Sequence, residues 1–476
     1  SRVSFIIPLL SVLEQNSKVI NSSIKDKDLI TEHHSNVVKT TENAEQFDKY
    51  ELLSDTWDTP IIISTLVQLL NMLFSNKTTA IRRMCSLTNS VIVIDEIQSL
   101  PRNITDMFNM AINFLAYYCN TTVVLSSATQ PCFDKANSPL KLSESPEMVP
   151  YNKDVFTVFK RTKIVDKTTP YGITIEQLTD FSVNIMKDHS SLLVICNTKS
   201  TALNLYNSIN NLNCCNKYKL FHLSTSMCMR HRIDTLEKVN DCLAQKQKII
   251  CVSTQLVEAG VDFSFESVIR IKAGMDNIAQ AAGRCNRNND FHRLCNVFIV
   301  NLKDESLAML KDIKVSQDCM TELLNAYSEF PQKFENDLLS ESSISEYYRI
   351  LFNRPEMKDL FKYPVKNKHG DIDYLFDLLS DNRKYTVRKE YTGRYFLNQS
   401  FKTAGRIFKV FEDNTHDIIV PYNEEAEEII ADLCSEKAKY DLVYMKERIA
   451  CAKMYTIQIF EHQKKKLEEY GMLYFD

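Results

Sequence analysis

Two adjacent carboxylates, Asp95 and Glu96, follow directly on the apolar run SVIVI (90–94) and precede IQSLP (97–101). A strand that delivers acidic residues to its carboxyl end, in a parallel sheet, sets them where ligands bind in such folds. There an aspartate can hold a magnesium ion through its oxygens while the neighbouring glutamate polarises a water against a γ-phosphate. Taken alone, the same pair equally begins a solvated helix. SSATQP (126–131) again closes an apolar strand, and its small hydroxyl residues either bond to the acidic pair or simply form a Ser/Thr turn. In VSTQLVEAGVDFSF (252–265), Thr254 is placed to donate to a phosphate, and Gly260 permits close backbone approach before Asp262. IAQAAGRCNR (278–287) spaces Gln280, Arg284 and Arg287 by four and three, on one helical face. Such arginines are an ordinary solvated face or, opposite an acidic pair in a paired domain, arginine fingers.

These residues need strands to hold them. Short apolar runs alternate with helical stretches, the pattern of parallel α/β units. The strand candidates are VSFII (3–7), PIIIST (60–65), SVIVI (90–94), TVVLSS (122–127), LLVIC (192–196), KIICVS (248–253), SVIRI (267–271) and NVFIV (296–300). A segment from about 131 to 165, with Pro131, Pro139, Pro146 and Pro150, separates them into two groups. The reading is a first domain over 1–150 with an insertion near 25–58, a second over 151–305, and linker helices with a smaller third domain over 306–476. In the third, RIFKVFEDNTHDIIVPY (406–422) reads as a hairpin and NEEAEEIIADL (423–433) as a helix whose early carboxylates suit its dipole.

With 476 residues and 44% hydrophobic content, the chain can bury cores for two or three domains. No apolar run approaches the length of a membrane span, and fourteen cysteines without a C-x-x-C pair suit a reducing cytoplasm. A formal net charge of −4 gives no global attraction to nucleic acid. Any such partner must be held by local donors and small basic clusters such as IRRM (81–84) or MRHRI (229–233).

In this order, DEIQSLP, SSATQP, STQLVEAGVDF and QAAGRCNR resemble the motor of superfamily 2 helicases, and more narrowly the CRISPR-associated helicase-nuclease of type I systems. WDTPIIISTLVQLLNMLFS (57–75), HHSN (33–36), FHLST (221–225), FKTAGRIFKV and VPYNEEAEEI look like the same family. DEIQ and QAAGRCNR differ from the usual motifs of DEAD-type RNA helicases. The resemblance implies two RecA-like α/β domains around an ATP cleft, with single-stranded DNA running over both and a type I CRISPR effector complex as partner. By the same likeness Asp95 binds Mg2+, Glu96 activates water, and Ser126 and Thr129 couple hydrolysis to movement. Gly260 and Asp262 line the nucleotide, Gln280, Arg284 and Arg287 complete the site, and Pro8, Thr65, Thr198 and Thr254 touch DNA phosphates. Thr65 and Thr198 also suit strand ends without any ligand.

The sequence departs from the family in two ways. None of its eight glycines begins or closes a G-x-x-x-x-G-K-[ST] phosphate loop. The family's His-Asp nuclease cluster has no counterpart beyond His416-Asp417. VSFIIPLLSVLEQN looks like the segment after the phosphate loop, so the expectation is a carboxyl-terminal portion that hydrolyses ATP poorly alone. A separate portion would then carry the loop and the nuclease. The alternative is a non-enzymatic remnant that binds DNA or the effector complex.

Overall fold

Runs such as SVIVI and SLLVIC are too short for helices and too apolar for a surface, and each becomes a strand flanked on both sides by others. A computed structural model describes the chain apart from residues 1, 9, 25, 35–51, 150–151, 153–156, 213–216, 259, 308–309, 367–371, 381, 383–398, 411–414 and 474–476. It divides into two units, Ser1–Tyr151 with Ile344–Glu412, and Asn152–Ser343 with Asp413–Asp476.

In the first unit β1 (Arg2–Ile7), β2 (Ile30–His33), β3 (Ile61–Thr65), β4 (Ser90–Ile94) and β5 (Thr122–Leu125) form a wholly parallel sheet ordered β2-β3-β1-β4-β5. The register pairs Ile7 with Thr65, Ile6 with Ile94, and Ile94 with Leu125. Pro8, Thr65, Asp95 and Ser126 therefore emerge at one edge, the carboxyl ends of the strands. Helices Leu66–Phe74 and Thr105–Tyr118 bury Leu69, Leu70, Met107 and Phe108 in the same core as Ile62, Ile92 and Ile94. Each such side chain contributes about 1.5–3 kcal/mol by leaving water.

The returning segment belongs to this core as well. Tyr363, Val365, Leu375, Leu378 and Phe408 are buried in it, and Phe408 lies 5.2 Å from Phe74, ring to ring. Helix Phe401–Ile407 approaches so closely that a Cβ on Gly405 would stand 2.6 Å from the Asn76 backbone nitrogen.

The second unit holds β6 (Thr162–Asp166), β7 (Ser191–Cys196), β8 (Lys219–Leu223), β9 (Ile249–Thr254), β10 (Ser267–Ile271) and β11 (Cys295–Val300), again all parallel, in the order β6-β11-β10-β7-β9-β8. Every residue of β7, β9 and β10 is buried. The expected α/β class with two RecA-like sheets is what the chain forms.

The differences from the sequence reading fall at edges. β2 lies within the stretch read as an insertion, 35–51 of which is outside the described residues, and β6 lies within the stretch read as a connection. Residues 406–422 do not form a hairpin. Phe401–Ile407 is helical, and β14 (Thr415–Ile419) pairs antiparallel with β15 (Thr456–Phe460) in the other unit, while β12 (Pro364–Lys366) and β13 (Ile372–Tyr374) pair in the first. The chain after 305, read as a third domain, is divided between the two units. Helix Glu424–Leu433 forms as read, with Asn423 capping the Ala426 N–H at 3.0 Å. It packs with Ala452 and Tyr455 against Cys228, while Tyr422 stacks on His231 at 4.8 Å and donates to Asp234. Among the described residues no helix is long and apolar enough to cross a membrane.

Candidate functional site

In the first unit the β4 ladder runs one residue past the strand, the Asp95 N–H donating to the Ile6 carbonyl at 2.9 Å. Glu96 then takes a left-handed backbone, φ 49°, and its N–H donates to Asp95 Oδ1 at 3.0 Å. For a residue with a Cβ this conformation costs on the order of 1–2 kcal/mol. It is fixed by the fully buried Ile97, whose N–H donates to the Ser126 carbonyl at 3.2 Å. The turn leaves both carboxylates half-buried at the sheet edge.

Gln98 ties this turn to the next strand. Its amide nitrogen donates to Glu96 Oε2, and its amide oxygen accepts from the Ser127 hydroxyl at 2.6 Å. Ser127 in turn accepts the Thr129 N–H at 3.1 Å. Ser126 contributes only backbone, its N–H donating to Ile94 and its carbonyl accepting from Ile97, and its side chain is exposed. Thr129 is buried and receives the Tyr348 hydroxyl. The side-chain contacts of this turn thus come from Ser127, Gln98 and Tyr348 rather than from Ser126. The first two were legible as polar residues inside the quoted motifs, whereas Tyr348 carried no local signal.

Thr65 caps helix Leu66–Phe74, its oxygen accepting the Gln68 N–H at 3.2 Å. At the neighbouring edge His33 accepts from the indole N–H of Trp57 at 3.2 Å, and its backbone carbonyl accepts from Ser64. Burial, and then the nearby Arg83, push the His33 imidazole down to about 4. Of HHSN, Ser35 and Asn36 lie outside the described residues.

In the second unit Thr198 accepts the Thr201 N–H at 3.1 Å. Thr254 closes β9 level with Cys196, and its side chain makes no capping bond. Beyond it Glu258, on fully buried ground, receives Arg270 Nε at 2.6 Å and Asn277 at 2.8 Å. Arg270 also donates to Asn197 and to the Ile271 carbonyl, each at 2.6 Å. Burial pushes the Glu258 carboxyl up, against the pull of Arg270. A cation in the middle of β10 requires a buried partner, and SVIRI carried that signal.

Gly260 takes φ +78°, and Asp262 beyond it is exposed and meets Arg287 at 2.9 Å. Gln280, Arg284 and Arg287 do not share a helical face. The helix is Met275–Ala282, Gly283 caps it, and the chain then pairs with Phe265: its N–H donates to the Arg284 carbonyl, and the Asn286 N–H to its own. Only Gln280 is helical. Arg284 is buried, donating to the carbonyls of Val257 at 2.9 Å and Glu258 at 2.8 Å, whereas Arg287 is exposed.

Among the described residues no three His, Cys, Asp or Glu side chains gather as a metal cage. Magnesium does not need one: it is commonly held by one or two carboxylates together with substrate phosphates and water. Asp95 fits that pattern, with one oxygen turned to the Glu96 N–H.

Two parallel sheets, each with polar side chains at the carboxyl ends of its strands, define a RecA-like fold. A family profile described as CRISPR-associated nuclease/helicase Cas3, C-terminal, matches residues 188–290. The chain is 20% identical over 400 residues to the CRISPR-associated nuclease/helicase Cas3 of Haloferax volcanii, covering 61% of this chain and 41% of that protein. It is 22% identical over 268 residues to that of Methanothermobacter thermautotrophicus, covering 54% and 28%. A T. fusca Cas3 structure with AMPPNP superposes with a TM-score of 0.57 at 14% identity, over 76% of this chain and 49% of that one. A crystal structure of a CRISPR-associated protein gives 0.58 at 12%, over 97% and 58%. These likenesses support the RecA-like fold, and the chain spans less than half the length of the curated relatives it matches.

Proposed function

We propose that this chain is the ATP-dependent, single-stranded-DNA motor portion of a type I CRISPR interference helicase-nuclease. The observation that carries it is the corner at 95–98, where two half-buried carboxylates are held by backbone and by Gln98 to the Ser127–Thr129 turn. In this reading Asp95 would hold Mg2+, which would supply positive charge against the charge developing on the phosphates. Glu96 orients and polarises the attacking water, and Gln98 keeps its carboxylate turned toward the sheet edge. Gly260 admits the nucleotide, Asp262 lines it, and Gln280, half-buried, and Arg287, exposed, reach the phosphates as donors. Arg284 acts from beneath, by holding the turn at Val257–Glu258.

Single-stranded DNA is held through its phosphates, which makes the grip indifferent to sequence. Pro8 and Thr65 serve on the first unit, Thr198 and Thr254 on the second. Thr254 is the strongest of these, since the hydroxyls of Thr65 and Thr198 already accept helix N–H groups. The effector complex is the proposed partner, in keeping with a likeness to a chain in a CRISPR RNA-guided surveillance complex, TM-score 0.50 at 14% identity over 75% of this chain. A cytoplasmic setting follows from that partner.

No phosphate loop is present in these 476 residues, so the chain alone should turn over ATP slowly. The test is ATP hydrolysis with Mg2+ and single-stranded DNA, for the chain alone and mixed with a portion carrying the phosphate loop and nuclease. DNA-dependent turnover only in the mixture, abolished by Glu96→Gln, is expected. A mixture that stays silent while the folded chain binds DNA would replace the motor with a non-enzymatic binding remnant.

A further inference from the structure

We infer that Tyr348 is a positioning residue at the end of a hydrogen-bond relay that links the state of Glu96 to helix Glu341–Asn353. The inference rests on the motor reading for what Glu96 does, but not for the relay itself.

The relay runs through single protons. The Ser127 hydroxyl lies 2.6 Å from Gln98 Oε1 and 2.7 Å from the Thr129 carbonyl, and it has one proton to give. The Tyr348 hydroxyl lies 3.2 Å from that same carbonyl and 3.3 Å from the Thr129 hydroxyl, and it also has one. While Gln98 is held on Glu96, its oxygen faces Ser127 and takes the proton. The Thr129 oxygens are then left to Tyr348. If Glu96 turns away and Gln98 follows, Ser127 donates to the Thr129 carbonyl, whose second lone pair is then the weaker acceptor for Tyr348. Thr129 and Tyr348 are 1% and 4% exposed, so water does not buffer the exchange.

The far end is mechanically placed. Tyr348 packs on Phe352 at 6.3 Å, and Phe352 stacks on Phe361 at 5.0 Å. The chain passes from the second unit into the first between Ser343 and Ile344, inside this helix. A change in how Tyr348 is anchored therefore acts on a covalent connection between the units.

The test is a double-mutant cycle read by hydrogen exchange of the amides in Glu341–Asn353, on the chain as it is, for Gln98→Ala, Tyr348→Phe and both together. Gln98 makes no hydrogen bond to that helix, yet its loss should speed exchange there by about 3–10-fold, as should Tyr348→Phe. The pair together should do little more than either alone. Exchange in helix Ile175–Asp188 serves as the folding control. Unchanged helix rates in Gln98→Ala, or additive effects, would overturn the relay and leave Tyr348 as packing. In the supplemented mixture, Tyr348→Phe should lower the ratio of DNA-stimulated to basal hydrolysis several-fold. A wild-type mixture without turnover would sink the motor reading while the exchange cycle still decides the relay.

Discussion

Both sheets end in a carboxylate beside hydrogen-bonding side chains, yet the two corners do opposite things. At 95–96 the acids are half-buried, and among the described residues Asp95 accepts one backbone N–H and Glu96 one amide N–H. At 258 the acid is 3% exposed and saturated, with Arg270 on one oxygen and Asn277 on the other. The first corner has oxygens left for an ion and a water. The second has none, and its pair serves to fix the turn that Arg284 also grips. Burial and partner number, rather than residue type, separate the two corners.

Breaking the second corner should give the largest effect. Arg270→Met leaves the Glu258 carboxylate buried without its counter-ion, which costs on the order of 3–5 kcal/mol in stability. Adding Glu258→Leu should restore much of it, because two buried charges replaced together by apolar groups are often neutral. Asp95→Asn and Glu96→Gln should each change stability by less than about 1 kcal/mol. Denaturant unfolding of all four variants checks this, with probes in each unit because two units need not unfold as one. Equal losses at the two corners would erase the distinction.

The first unit should also carry an acid-sensitive step of its own. The folded value of His33, about 4, lies below the usual 6.5, because burial and then Arg83 disfavour the imidazolium, with Asp55 opposing. Protonation would also set an N–H against the Trp57 indole N–H. The stabilisation is therefore complete above about pH 6.5 and is lost as pH falls toward 4, by at most roughly 3 kcal/mol. Glu32, held at about 2 by His34 first and against burial by Ser17 and Asn21, adds a separate loss between 4.5 and about 2. Trp57 is the only tryptophan and reports directly, so its fluorescence across pH 4–7 is the measurement. His33→Asn should flatten the upper step. A slope that survives the substitution would place the acid-sensitive group elsewhere.

What could be read from the sequence follows burial. Strands flanked on both sides, such as β4, β7, β9 and β10, are continuous apolar runs and were legible within about a residue. The missed strands β2, β6 and β8 are all sheet edges, with Glu32 and His33, Lys163 and Asp166, or Lys219 and His222 in the run. A half-solvated strand of four or five residues has no pattern that separates it from a loop. At the site, the placement of Asp95 and Glu96 followed from strand polarity, but the partners did not. Whether Ser126 or Ser127 faces Gln98 depends on where β5 stops, and the end of helix Met275–Ala282 depends on a bridge to Phe265 that no local spacing encodes.

The two arginines that spacing placed together make the finest test of the comparison. Arg284→Lys removes two donors from buried carbonyls, and a single ammonium cannot replace the fork, so stability should fall by about 1.5–3 kcal/mol. Arg287→Lys disturbs only an exposed pair with Asp262, a change of at most about 1 kcal/mol, screened further by salt. If Arg287 is the group that reaches phosphate, its substitution should nonetheless cost more in DNA-dependent turnover of the supplemented mixture than in stability. The opposite order, with Arg287 structural and Arg284 silent in denaturation, would mean that Arg284 swings free of the Val257 and Glu258 carbonyls in solution. The second corner would then be as open as the first.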